Sequence, residues 1–244
     1  MEKSSDFSRK GQTMKVWWFA KGNNFGDLLT PYIFEYFNIP YKYEAKSRNA
    51  DCICIGSIAH HSSPQKIILG SGIITSNAKI NADANWLFVR GPRTRQRVIE
   101  SGGRCPEIYG DPALLLPNFC EESKKEFDVG IVPHYVDYEY VKEKYQNYKI
   151  INVINSNPLE VAKEITKCRY IISSSLHGII AAHAYNIPAA MVRFSNNLHG
   201  DGIKFVDYYE SINAVLKEST VEDPIFTTAN FDSSPLINIF NSLK

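Results

Sequence analysis

Short apolar runs alternate with stretches of helical period along almost the whole chain. Runs at 16–19, 52–55, 66–69, 87–90, 107–109, 128–132, 149–153, 170–173 and 189–193 predict strands. Between them, 28–37, 93–101, 138–145, 159–167, 176–185 and 205–217 carry the spacing of helices, and a weaker helix is predicted over 236–243. Strands that are apolar throughout, each followed by a helix, predict parallel sheets covered on both faces. The rhythm breaks over 112–127, which holds two prolines and the charge cluster EESKKE. The pattern therefore predicts an α/β protein of two Rossmann-like domains facing a cleft. Residues 14–117 form the first and 126–217 the second. A polar tail over 1–13 precedes them, and a C-terminal tail over 218–244 is placed to pack back on the first domain.

In open parallel sheets, ligands bind beyond the carboxyl ends of the strands. Residues just past each predicted strand gather glycines, hydroxyls, imidazoles and guanidiniums at one edge. In the first half these are GNNFGD (22–27), GSIAHH (56–61), GSG (70–72), RGPRTR (90–95) and GDP (110–112). The second half contributes PHY (133–135), SSSLHG (173–178) and RFSNN (193–197).

Composition adds limits. The 244 residues are 44% hydrophobic and 22% charged, enough for a buried core. A net charge of +1 gives no general field for nucleic acid, so an anion site must be local. No apolar run approaches the roughly 20 residues that span a bilayer, and the polar start MEKSSDFSRKGQ lacks the apolar core of a secretory signal. Five cysteines without a CxxC pair read as reduced thiols of a cytoplasmic protein. No spacing of ligands suggests a metal.

SSSLHG carries the strongest chemistry. Ser174 or Ser175 would cap the following helix, whose first N–H groups suit a phosphate or carboxylate, with His177 alongside and Gly178 allowing close approach. Simple helix capping is the alternative. His183, deeper in that helix, reads as a satisfied core residue. Arg90 at a strand end is expected to point into the cleft and grip an anion through its planar fork, helped by Arg93. Asp27 and Asp111 each read either as a helix cap or as a carboxylate with a catalytic role. Lys204, after the Gly200 and Gly202 loop, is either an ordinary surface lysine or a ligand-covering one.

With GNNFGD, the RGP turn, the GDP element, SSSLHG before a helix and the late GDGIKF, in that order, the chain resembles the polysaccharide pyruvyl transferase family over residues 14–217. The resemblance implies a glycosyltransferase-B-like (GT-B) fold. It also implies phosphoenolpyruvate as co-substrate without a further cofactor, and a pyruvate ketal formed on a hexose of a surface, capsular or exopolysaccharide precursor. A sugar or lipid-linked oligosaccharide acceptor, and peripheral contact with the inner membrane, follow from the same likeness. Many relatives carry an arginine just before Leu-His-Gly, where this chain has Ser175, so another cation must meet the donor phosphate. Arg90, Arg93 and Lys204 are the candidates.

On that basis Ser174, Ser175, His177, Gly178, Arg90, Arg93 and Lys204 are expected to hold the donor. Asn23, Asn24, Asp27, His60 and His134 are expected to hold the acceptor. His177 is the expected general acid, and Asp27 or Asp111 takes the hydroxyl proton and faces the positive charge that develops at C2. Two other readings share the fold: a glycosyltransferase using a nucleotide sugar, and a sugar-binding relative without catalysis.

Overall fold

A computed structural model describes residues 13–244; all but the last residue of the expected N-terminal tail lies outside the described residues. Strands β1 (Met14–Trp17), β2 (Tyr41–Tyr43), β3 (Cys52–Ile53), β4 (Ile67–Leu69) and β5 (Asn85–Phe88) form one sheet. Strands β6 (Phe127–Val132), β7 (Lys149–Ile150), β8 (Cys168–Ser173), β9 (Ala189–Val192) and β10 (Glu218–Ser219) form another. All ladder pairings are parallel. The orders are β2-β1-β3-β4-β5 and β10-β9-β8-β6-β7. Counted within its own half, each sheet therefore has the doubly wound order 2-1-3-4-5, with its switch point between the first and third strands. The protein is a mixed α/β molecule with two parallel, Rossmann-like sheets.

The helices are α1 (Leu29–Tyr36), α2 (Pro92–Glu100), α3 (Tyr138–Lys144), α4 (Pro158–Thr166), α5 (Leu176–Ala184), α6 (Ile203–Ser211) and α7 (Ser234–Ser242). Local chemistry sets several ends. Pro92 and Pro158 sit in first turns, where a missing N–H costs nothing. Gly102, at φ +85°, follows the last turn of α2. Nearly all of α5 is buried, because it packs on β8 and β9 and against the 3-10 helix Pro112–Asn118.

Four expectations change. Strand β2 is an element for which the apolar pattern predicts nothing: it is a three-residue, mostly exposed edge strand. The run 107–109 makes only one bridge, Val89 to Tyr109, because Pro106 and Gly110 bracket it. Helix α6 stops at Ser211 rather than 217, where Asn213 takes a left-handed conformation at φ 56°. The start of the rhythm-breaking stretch is an ordered 3-10 helix whose Leu114, Leu115 and Leu116 are buried.

One apolar cluster runs between the sheets and contains Val16, Leu29 and Phe34 together with Val132, Leu176 and Ile179. Polar ties add to it. The Phe25 N–H donates to Val153 O at 2.8 Å, and the Asn155 N–H to Asn23 O at 3.0 Å. Helix α7 brings Phe240 onto Phe37, with ring centroids 4.9 Å apart, and onto Phe88. Among the described residues no helix is long and apolar enough to cross a membrane, and the five cysteines are free and buried.

Candidate active site

A cavity of about 340 Å³ opens where the carboxyl ends of both sheets meet. Its walls come from both switch points. Past β1 lie Phe19, Asn24 and Asp27, and past β3 lie Ser57, Ile58, His60 and His61. Past β6 lie His134 and Tyr135, and past β8 lie Ser175, Leu176 and His177. The loop before α6 adds His199, and α6 itself adds Lys204. Five of the chain's six histidines thus line one space. The sixth, His183, is buried, with Nδ1 2.9 Å from Tyr208 Oη and Nε2 3.0 Å from Thr227 O, the core role read from the sequence.

Behind the cavity wall, His177 Nε2 lies 3.6 Å from Asp111 Oδ2. That is beyond hydrogen-bonding distance, and neither atom has another hydrogen-bond partner among the described residues. Buried polar atoms are seldom left unpaired, so this pair calls for an explanation in the chemistry of the site. The second oxygen of Asp111 is occupied: Oδ1 accepts from the Ala113 N–H at 3.0 Å and caps the 3-10 helix. The helix-cap reading of Asp111 is thus observed, while its other oxygen faces His177. Gly26 lets the imidazole in, since a Cβ there would lie 1.9 Å from His177 Nδ1. The glycine of GNNFGD makes room for the histidine of SSSLHG.

Asp27 stands beside this pair. Burial pushes its carboxyl up to about 6, partly opposed by His177 and Lys204 and reinforced by Asp111. A carboxyl raised in this way is protonated in the folded state at pH values where the unfolded one is ionised. Its contribution to stability is full below 3.8 and is lost as pH rises through about 6. Asp27→Asn is therefore expected to stabilise the protein by about 3 kcal/mol above pH 7 and by nothing near pH 3.5. Melting curves of both proteins across that range test it, and a pH-independent difference would contradict it.

Burial and the positive charges of Arg90 and Arg193 lower Lys204 to about 8, opposed by Asp27. Its Nζ donates a long hydrogen bond to His199 O at 3.4 Å. Burial also lowers His60, His61 and His134, the last two to about 4. The shift favours the neutral imidazole in all three.

Several expected donor contacts stand elsewhere. Arg90 does not point into the cleft: it is fully buried. Its Nε donates to Asp207 Oδ2 at 3.2 Å, Nη1 to Ser57 Oγ at 2.7 Å and Nη2 to Ile73 O at 2.8 Å. Close approach across Gly72, where a Cβ would lie 2.2 Å from the guanidinium carbon, draws it inward. Arg93 is exposed on α2 and forks onto Glu210 of α6, away from the cavity. Ser174 is buried and accepts the His134 N–H at 2.8 Å, so it ties the β6 and β8 ends together rather than facing a ligand. Gly178 packs its Cα tightly on the Ser173 hydroxyl and Val132, so the close approach it allows is within the fold. Asn23 takes a left-handed turn at φ 49° and does not line the cavity. Ser175 occupies the N-cap position of α5 but makes no capping hydrogen bond, which leaves its hydroxyl at the cavity wall.

The structure also brings in residues that the sequence reading passed over. Ser57, His61 and Tyr135 lie in loops recognised as edge loops and His199 just before the Gly200 and Gly202 loop, but nothing local distinguishes them from their neighbours. Phe19 was counted into its strand. Because β1 ends at Trp17, Phe19 lies past the carboxyl edge.

A family profile described as polysaccharide pyruvyl transferase matches residues 14–196, which carry both sheets except β10. The chain belongs to that family. The succinoglycan biosynthesis protein ExoV of Rhizobium meliloti (strain 1021) is 24% identical over 238 residues, covering 87% of this chain and 68% of that protein. The uncharacterized protein L143 of Acanthamoeba polyphaga mimivirus is 35% identical over 164 residues, or 63% of this chain. The matched stretch spans 57% of the viral protein's length. No solved structure matches. In this member of the polysaccharide pyruvyl transferase family, Ser175 is a small hydroxyl at the cavity wall, and Lys204 supplies a cation on the same cavity.

Proposed function

We propose that the protein transfers the pyruvyl group of phosphoenolpyruvate to two hydroxyls of one hexose in a polysaccharide precursor, giving a pyruvate ketal and phosphate. In this reading the two sheets are the lobes of a GT-B-like enzyme. The observation that carries it is the placing of Asp27, His177 and Lys204 on one cavity wall, with Asp111 buried behind His177. The family supplies the reaction class, and this cluster supplies acid, base and cation at one point.

Donor binding follows from charge. Lys204 and the start of α5 attract the phosphate and carboxylate. No backbone acceptor is present among the described residues for the N–H groups of Leu176, His177 and Gly178. Asp27 takes the proton of the first hydroxyl as its oxygen bonds to C2, while His177 in its imidazolium form protonates C3. Positive charge develops at C2 as phosphate departs, and Asp27 meets it because giving up its proton restores the carboxylate. The bond from C2 to the bridging oxygen then breaks and phosphate leaves, carrying the proton held by Asp27. The second hydroxyl adds to C2 and gives its proton to His177, which restores the starting state. Of the two hydroxyl protons, one ends on the new methyl group and one on phosphate. Asp111 holds the imidazolium in place throughout.

Two carboxylates that a nucleotide-sugar enzyme would turn toward a ribose are occupied. Asp201 accepts from the Ser76 N–H and hydroxyl, and Asp207 from Arg90 and Thr94. This favours the small three-carbon donor. Incubation with phosphoenolpyruvate and a panel of hexosides, following phosphate and ketal together, tests the reading. Phosphate release without an acceptor-dependent ketal would reject it.

Lys204→Met is expected to raise the KM for phosphoenolpyruvate about tenfold or more, in line with loss of a charge-assisted contact. In the unaltered enzyme kcat/KM should fall above about pH 8 as Lys204 loses its proton. Lys204→Arg keeps its charge, so that alkaline fall should move upward by at least one pH unit or so. An unchanged alkaline limb would remove Lys204 from donor binding.

A further inference from the structure

The cavity wall carries two kinds of chemistry. Asp27, His177, Ser175 and Lys204 supply charged and hydroxyl groups. Phe19 from the first lobe and Tyr135 from the second supply large apolar rings, and they share the wall with imidazoles. We propose that Phe19 and Tyr135 form the seat for the pyranose ring of the acceptor, with His60, His61 and His134 bonding its hydroxyls. The proposal rests on the pyruvyl transfer reading and adds to it the residues that select the acceptor.

Phe19 is 47% exposed, belongs to none of the buried apolar clusters, and lies just past the carboxyl end of β1. A large ring held in that state on a cavity wall is an apolar surface without a partner. Tyr135 is 50% exposed and lies against the His134 ring, centroids 4.4 Å apart. Rigid aromatic side chains offer contact area at low entropic cost. A pyranose presents an apolar face of C–H groups and an edge of hydroxyls, and this wall offers the matching pair of surfaces. Phosphoenolpyruvate has no such face and would gain nothing there. Neutral imidazoles donate and accept hydrogen bonds, as hydroxyls require, without adding a charge that would compete with Lys204 for the donor's anionic groups. Nearby Ile58 and Ile74 extend the apolar part of the wall.

The test is a kinetic split with methyl hexopyranosides as acceptors. Phe19→Ala and Tyr135→Ala should each raise the acceptor KM about tenfold or more and leave the KM for phosphoenolpyruvate within about twofold. Neither should shift the melting temperature noticeably, since both rings are half exposed. Phe19→Trp should restore acceptor affinity. An unchanged acceptor KM in both alanine variants, or an equal rise in the donor KM, overturns the proposal. If the unaltered protein forms no ketal with any hexoside, the transfer reading fails instead. Calorimetric binding of the same hexosides to the unaltered and Phe19→Ala proteins then decides the seat: affinity lost on truncation supports it, and equal affinity or no binding overturns it.

Discussion

His177→Gln is expected to lower kcat for ketal formation by roughly 10²–10⁴, the usual contribution of a positioned general acid. Binding of phosphoenolpyruvate should persist, because Lys204 and the start of α5 remain. The expectation follows from the orphaned pair behind the cavity wall. Nε2 of His177 and Oδ2 of Asp111 face each other at 3.6 Å with no other hydrogen-bond partners among the described residues. Their separation is of the kind that tightens once a substrate closes the site. Asp111→Asn separates the electrostatic role from the structural one. Asparagine also caps helices through its side-chain oxygen, so the bond from the Ala113 N–H survives while the charge facing the imidazole is lost. This second variant should lose kcat in the same direction, with little change in melting temperature. Retention of wild-type kcat by His177→Gln would remove the histidine from the chemistry.

Arg90→Met should destabilise the fold by about 3–5 kcal/mol, the cost of leaving one member of a buried ion pair alone. For a protein of this size that corresponds to a fall in melting temperature of roughly 6–20 °C. Asp207 would keep only the Thr94 N–H and hydroxyl as donors, while the Ser57 hydroxyl and Ile73 carbonyl would lose theirs. Because Asp207 belongs to α6 and Arg90 follows β5, the pair joins the two halves and holds the helix that carries Lys204. Activity should fall along with stability. Removing both charges, as Arg90→Met with Asp207→Leu, should recover part of the lost stability, since no unpaired charge remains. Thermal unfolding of the three proteins distinguishes this from a donor contact. A donor contact would raise KM with the melting temperature intact.

The parts that could be read from the sequence share a physical basis. Continuous apolar runs such as 189–192 become strands because a parallel sheet covered on both faces needs no polar side. The edge logic of such sheets then located the cavity loops, among them GNNFGD, GSIAHH and SSSLHG. Strand β2 escaped because an exposed edge strand of three residues has no apolar face to announce it. Likewise Asn213 ended α6 early through a backbone conformation that the apolar period does not encode. Within the loops, residue type alone overstated the arginines. A guanidinium at a strand end suits an anionic ligand, but it suits a buried carboxylate equally well.

The chain by itself determined the α/β alternation, the edge at which chemistry collects, and the likeness to pyruvyl transferases. These depend on periodicities and short motifs, which are local properties of the sequence. Tertiary structure alone decided which cation is available and which acid meets the histidine. Arg90 is neutralised by Asp207, 117 residues away, and His177 finds room only because Gly26 lacks a side chain. Whether a charged group meets a ligand or a partner depends on what burial places beside it, and burial is a property of the folded whole.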